Sequence, residues 1–378
     1  MEFKRKRLIS FISLIFILFT LTWTGCRDKN NDDPSANIDK AAILSNMGQN
    51  IILKRFEGLN SAIITLENDF VVFSNTIDID KLNALRNSFF YVYKTWETCS
   101  MFEFGPAEAN NLRVMLNTFP TDTDQIISNI TLQSCDLFQA QNIDATGLPA
   151  LDFLLYGIRF PDTEVISFYN DPVYGPYRIS YISSVISQMK VLISNVFNGW
   201  KTGDGNYVTV FNENLGTDVG SSLSMLVNGL NQDFEILKNA RIGIPIGKKT
   251  LDIPLPHKAE AYYSGRSMEL AVEHLRAIKE VYAGINEEGA DGMGLDDYIK
   301  CLESEGVISG LHKTIWNRFE NIESLMNTIS DPLSENIENE SAALNELYNE
   351  ILKQTVSLKT DMPSAIGVLI SYQDNDGD

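Results

Sequence analysis

Histidine is nearly absent from this chain of 378 residues, which has only His257, His274 and His312 and no HExxH run. Zinc hydrolysis at an imidazole-held ion is disfavoured on that ground, because such sites usually fix the metal with two or three ring nitrogens. Cysteine is almost as scarce. Cys26, Cys99, Cys135 and Cys301 include no CxxC pair, which argues against a disulfide framework and against a zinc ribbon. Cys99 and Cys135 could pair in an oxidising compartment or stay as buried thiols. A GxSxG elbow is missing, so a serine hydrolase has no support. Positive charge is in short supply as well, with 30 Lys and Arg against 50 Asp and Glu and a net charge of −20. Nucleic acid and anionic lipid are repelled as partners, whereas cations are welcome.

Strand-like alternation is rare. It is confined to 206–211 and to 242–251, and the second piece is broken by Pro245 and reads as an extended loop or small ribbon.

The chain does carry a basic start, Lys4-Arg5-Lys6-Arg7, then an apolar run from Leu8 to Leu21 and the triplet Thr24-Gly25-Cys26. The run is short for a bilayer span and reads as an export signal. A cysteine at its end predicts a bacterial lipoprotein in which Cys26 is acylated and holds the protein to the outer membrane, on the periplasmic or the surface face. Removing residues 1–25 takes away four basic residues and one acidic residue and lowers the net charge to −23. The expected organisation is a signal over 1–25 and a polar tether over 26–38. Two helical-bundle domains follow over 39–200 and 201–372, divided at the turn-rich stretch 198–206, and an acidic tail occupies 373–378.

The all-α expectation rests on periodicity. Ile43, Met47, Ile51, Leu59, Ile63, Leu66, Phe70 and Phe73 recur mostly three or four apart, and Leu82, Leu85, Phe89, Val92 and Trp96 repeat the pattern. Similar stripes predict helices over 112–115, 124–139, 177–197, 221–240, 267–282, 311–329 and 336–356. The segment Leu148 to Gly157 can also be laid on Pro256 to Gly265 without a gap, placing Asp152 on Glu260 and Gly157 on Gly265. That echo suggests two related halves.

In these segments the chain resembles the imelysin-like family of bacterial exported proteins. The matching pieces are Trp96 with Phe102 to Pro106, Leu116 to Asp122, Gly147 to Gly157, Tyr263-Ser264-Gly265, and Pro363 to Val368 running into Asp374 to Asp378. The resemblance implies an all-helical fold of two bundle-like domains, a site near their junction, links to iron uptake and a peptidase name. This chain departs from the family signature Gly-x-His-x-x-Glu, because the window reads Gly147-Leu148-Pro149-Ala150-Leu151-Asp152. Proline offers no metal-binding nitrogen, and metallopeptidase chemistry is doubtful here.

The candidate metal ligands are Asp152, His257, Glu260 and Glu103, with Gly147, Lys258, Ser264 and Gly265 as further site residues. His257 and Glu260 form an HxxE pair whose side chains would share one face of a helix. Such an oxygen-rich set suits iron or another hard divalent or trivalent cation better than zinc. Each residue also has a structural reading. His257 can sit in a loop, Glu260 can favour a helix start, and Asp152 after Pro149 fits the first turn of a helix. Glu103, between two phenylalanines, needs a cation, a hydrogen bond or solvent, with Arg113 and Lys258 as possible partners. The expected function is a lipid-anchored binding protein of the cell envelope for iron or another cation, taken as the ion, as a chelate or from a transport-system protein. The alternatives are a metal-dependent peptidase and a surface interaction module without catalysis.

Overall fold

The structure, a computed structural model, describes residues 38–372 except 134, 135, 159, 202 and 204. Signal 1–25, Cys26, the tether up to residue 37, Cys135 and the tail 373–378 lie outside the described residues.

Helix dominates, as the stripes predict. A short helix α1 (Lys40–Ser45) runs through a π-helical stretch, Asn46–Ile52, into α2 (Leu53–Asn75), and α3 (Ile79–Cys99) follows a tight turn. The predicted stripe of α2, from Leu59 to Phe73, is buried, and so is that of α3, from Leu82 to Trp96. Burial of each large apolar side chain contributes about 1.5–3 kcal/mol, so these two stripes outweigh any capping effect in fixing how the helices pack. Helix α2 packs along α3 and along α6 (Gly175–Trp200). Between them come the short helices α4 (Leu112–Leu116) and α5 (Gly147–Tyr156). The later part of the chain supplies α7 (Ser222–Ile236), α8 (Ser267–Ala283), α9 (Leu311–Met326) and α10 (Ser341–Val356), with α8 packing on α9 and α9 on α10.

Ser221 shows how side chains stop these helices from fraying. Its hydroxyl oxygen accepts from Ser224 N at 3.3 Å and so caps the first turn of α7. Ser221→Ala is expected to lower unfolding stability by about 1 kcal/mol, measurable by urea denaturation, and an unchanged midpoint would remove the cap from the account.

Two local expectations need correction. The piece 206–211 is not a strand but part of a helix, Tyr207–Glu213. Val208 and Phe211 are spaced for one helical face, and Phe211 stacks on Phe104 with ring centroids 5.8 Å apart, so packing overrides the short alternation. The helix expected over 124–139 ends at Leu132, and a 3-10 turn, Ala140–Ala145, follows. Over 242–251 the chain leaves a π-helical stretch, Leu237–Gly243, and continues in turns, as the loop reading expected.

From Asp39 onward the described residues pack as one compact unit. Within that unit α3 of the first half packs directly on α8 of the second. Arg55 on α2 reinforces that contact. Its guanidinium is buried, donates to the Thr98 carbonyl at 3.0 Å and pairs with Glu280 of α8 at 2.8 Å. Among the described residues no helix is long and apolar enough to cross a membrane.

Candidate functional site at the seam between the halves

The two aligned segments take different paths. The first is helix α5, which begins at Gly147 with φ +73. A Cβ there would lie 2.3 Å from the Leu116 carbonyl oxygen, so only glycine lets α5 start against the end of α4. Asp152 is the sixth residue of this helix and not in its first turn, which corrects the helix-start reading. The second segment makes one 3-10 turn, Pro256–Lys258, and then bends through Ala261 at φ +48 and Gly265 at φ +70.

His257 is separated from Glu260 before that bend, because the 3-10 turn ends at Lys258 and Ala259 is extended, with φ −64 and ψ 138. His257 is exposed and Lys258 half-buried, while Glu260 is 2% exposed. The HxxE pair thus shares no helical face, because α8 begins only at Ser267 and the i, i+3 relation needs continuous helix. Gly265 serves the path as Gly147 does, since a Cβ on it would meet Pro332 at 2.9 Å.

Asp152, 1% exposed, holds the bend from below. Its carboxylate accepts from Tyr263 N at 2.9 Å and from Ser264 N at 3.1 Å, so Ser264 contributes a backbone donor and its hydroxyl turns to the Ala261 carbonyl. Burial pushes the Asp152 carboxyl up to about 6, and the hydrogen bonds from Ser264 and Tyr263 offset only part of that.

Glu260 faces a different set. Its carboxylate accepts from the Tyr93 hydroxyl at 3.2 Å and from Asn117 Nδ2 at 2.6 Å, and it pairs directly with Arg241 Nη1. Burial raises the Glu260 carboxyl to about 7 against the pull of Arg241, with the Glu97 charge adding to the rise. Arg241 sits on the π-helical continuation of α7, and its Nη2 reaches Glu97 of α3 at 2.6 Å. Burial works against the guanidinium charge, but Glu260 and Glu97 more than offset it and hold Arg241 above its ordinary value.

The ladder continues through Glu97. The same Glu97 oxygen lies 2.9 Å from His274 Nδ1, while His274 Nε2 lies 3.2 Å from Asp233 Oδ2 and 3.2 Å from the Asp233 carbonyl. Oxygen atoms thus face both ring nitrogens of His274, which is held between Glu97 and Asp233. Asp233 in turn accepts from the Ser100 hydroxyl at 2.7 Å and from Arg113 Nη2 at 3.1 Å. Three carboxylates therefore meet two guanidiniums and one imidazole ring in this buried row. Such pairing is required, because an unpaired buried charge costs several kcal/mol.

Glu103 stands at the end of this row. It is half-buried and accepts from Arg113 N at 3.1 and 3.2 Å, which caps the start of α4. Burial raises its carboxyl and the Arg113 charge lowers it again.

The four sequence-derived metal candidates are consequently not one ligand set. Asp152 binds backbone amides, Glu260 binds a guanidinium, Glu103 caps a helix and His257 points outward. A hard cation needs several free oxygen lone pairs converging on one point, and these oxygens already face N–H donors and positive charge, so the residues present do not fit a bare metal ion. Among the described residues no group of three or more His, Cys, Asp or Glu is placed to hold one. Three surface clefts, of about 490, 300 and 560 Å³, are bordered by other residues, such as Ile246 and Leu344, Tyr177 and Tyr181, or Leu311 and Thr360.

Glu97, Asp233, Arg241 and His274 escaped the sequence reading, although a signal was there. His274 lies on the apolar face of α8 with Ala271, Leu275 and Ile278, and Glu97 directly follows Trp96 in the buried stripe of α3. A charged side chain in such a stripe must have a partner, but the partner's address is not written locally.

The geometry defines an all-helical protein whose two halves are joined by a buried ladder of carboxylates, guanidiniums and one imidazole ring. The profile of the imelysin family, peptidase M75, matches residues 52–358, and the chain belongs to that family. No curated protein sequence matches it. Among solved structures it is similar to an iron-regulated protein A precursor from Parabacteroides distasonis ATCC 8503, with a TM-score of 0.71 and 17% identity over 86% of this chain and 95% of that one. It is also similar to an imelysin-like protein from Psychrobacter arcticum 273-4, with a TM-score of 0.67 and 16% identity over 88% of this chain and 97% of the other. These likenesses show the fold.

Proposed function

We propose that the protein is an exported, lipid-anchored binding protein of the cell envelope that serves iron acquisition. In this reading it engages iron as a chelate or through a transport-system protein and does not coordinate a bare ion at the seam. The observation that carries the second half of this reading is the occupation of Glu260 by Arg241, Asn117 and Tyr93. The iron connection is supported by the family resemblance and by the similar structure described as an iron-regulated protein A precursor. Export and the outer-membrane anchor are supported by the basic start, the apolar run and Cys26.

The test uses the mature chain from residue 26. Calorimetric titration with ferric citrate is expected to give saturable binding, and titration with calcium chloride is expected to give none at the seam. Incubation with an unfolded protein substrate is expected to leave it intact with or without chelator. Chelator-sensitive cleavage that disappears in Glu260→Ala would instead establish the peptidase. Failure to bind ferric citrate, together with failure to retain any envelope transport protein, would remove the iron reading.

A further inference from the structure

We propose that the loop 247–255 and the cleft beside it form a self-complementary docking face for a second copy of this chain, each copy seating its Leu251 in the recess of the other. The inference goes beyond the iron reading and does not depend on it.

Leu251 is 94% exposed and has φ +56, in the left-handed region. A leucine is strained in that backbone, which glycine, asparagine or aspartate adopts more readily. Asp252 follows at φ +59, where an aspartate is tolerated. At such exposure the leucine contributes almost no burial, so folding explains neither its side chain nor its backbone.

The loop is braced from within. Gly247 O accepts from Thr250 N at 3.0 Å and from Asp252 N at 2.9 Å, and Leu255 N donates to the Pro245 carbonyl at 2.9 Å. The Thr250 hydroxyl donates to Ile253 O at 2.5 Å, and Lys248 Nζ pairs with Asp252 at 2.9 Å. Leu251 and Ile253, the latter 61% exposed, are thus held out as a fixed apolar knob. A knob ordered before contact loses little entropy on docking, which favours its use at the centre of an interface.

The same face carries a recess. A cleft of about 490 Å³ is lined by Lys248, Asp252 and Pro254 of the loop and by Ile246, Ile337 and Leu344. Its volume is ample for a leucine side chain. Because knob and recess share the loop, one face offers both halves of an isologous interface, and a two-fold axis beside the loop makes the contact twice.

Charge selects the occupant. Glu338 also lines the cleft, is exposed and has no ion partner among the described residues. Lys248, although paired with Asp252, has further N–H donors for a second carboxylate, so Glu338 of one copy complements Lys248 of the other. A strongly acidic or strongly basic partner would match one sign only, whereas this face carries both. A membrane fits less well, because the Asp252 side chain stands next to the tip at 79% exposure and the chain has a net charge of −20.

Sedimentation velocity of the chain from residue 26, run under reducing conditions across a concentration series, tests the proposal. The natural chain is expected to form a reversible dimer. Leu251→Asn, which suits the left-handed backbone, is expected to weaken dimerisation by about 100-fold or more, since the knob is lost twice per dimer, with no fall in the thermal midpoint of the monomer. Asn345→Trp, at an exposed position lining the cleft, is expected to weaken it as well by filling the recess while the knob stays intact. A natural chain that stays monomeric throughout the series overturns the proposal. Flotation of that monomer with vesicles of phosphatidylethanolamine and phosphatidylglycerol, lost in Leu251→Asn, would assign the tip to a membrane instead. A dimer that survives either substitution unchanged also overturns it, since the knob or the recess then lies outside the interface.

Discussion

Arg241→Met is expected to lower unfolding stability by about 3–5 kcal/mol, the cost of leaving carboxylates buried without their counter-ion. The methionine keeps most of the side-chain volume, so the loss reports charge and not a cavity. The contrast is Lys54→Met, whose pair with Glu57 is exposed on both sides at 2.7 Å and is worth about 0–1 kcal/mol. Adding Glu97→Gln and Glu260→Gln to Arg241→Met removes the stranded charges and is expected to restore part of the loss. Urea denaturation of the four proteins measures this, and a loss under about 1 kcal/mol for Arg241→Met would mean that the ladder is not the bond between the halves.

The second large effect is a dependence on pH set by Asp152. Its folded-state carboxyl titrates near 6, above the ordinary 3.8, because burial disfavours the charge. Between those values the folded protein holds a proton that the unfolded chain has released, so the contribution of this group to stability falls as pH rises. A shift of about two units corresponds to about 3 kcal/mol, present below pH 4 and lost once the pH passes 6. Asp152→Asn does not titrate and can still offer its amide oxygen to Tyr263 N and Ser264 N. Stability curves at pH 4, 5, 6 and 7 are expected to show the natural protein losing about 3 kcal/mol more than Asp152→Asn across this range. Parallel curves for the two proteins would show that the carboxyl ionises at its ordinary pH.

Much of the helical architecture was legible because amphipathic periodicity is a local property. The stripe of α3 names its own buried residues, and the apolar faces of α6 and α8 do the same. Exceptions arose where distant packing outvoted a local pattern, as when Phe211 found Phe104 and drew 207–213 into a helix. The candidate site was legible in a different way. Asp152 and Glu260, singled out as candidate metal ligands, are both buried at the seam. Their partners were not readable, since Glu97 and His274 lie 177 positions apart and Tyr93 and Glu260 167 apart. The pairing of His257 with Glu260 failed for a local reason, since the 3-10 turn ends at Lys258 and the extended Ala259 stands between them.

Sequence by itself determined that this protein is helical, acidic, poor in imidazole ligands and similar to the imelysin family, because composition and periodicity need no knowledge of neighbours in space. Only the tertiary structure decided what the acids do. A carboxylate is a metal ligand, a helix cap or half of an ion pair according to what faces it, and Arg241, Arg113 and the backbone of 263–264 reach those oxygens only after the chain has closed on itself.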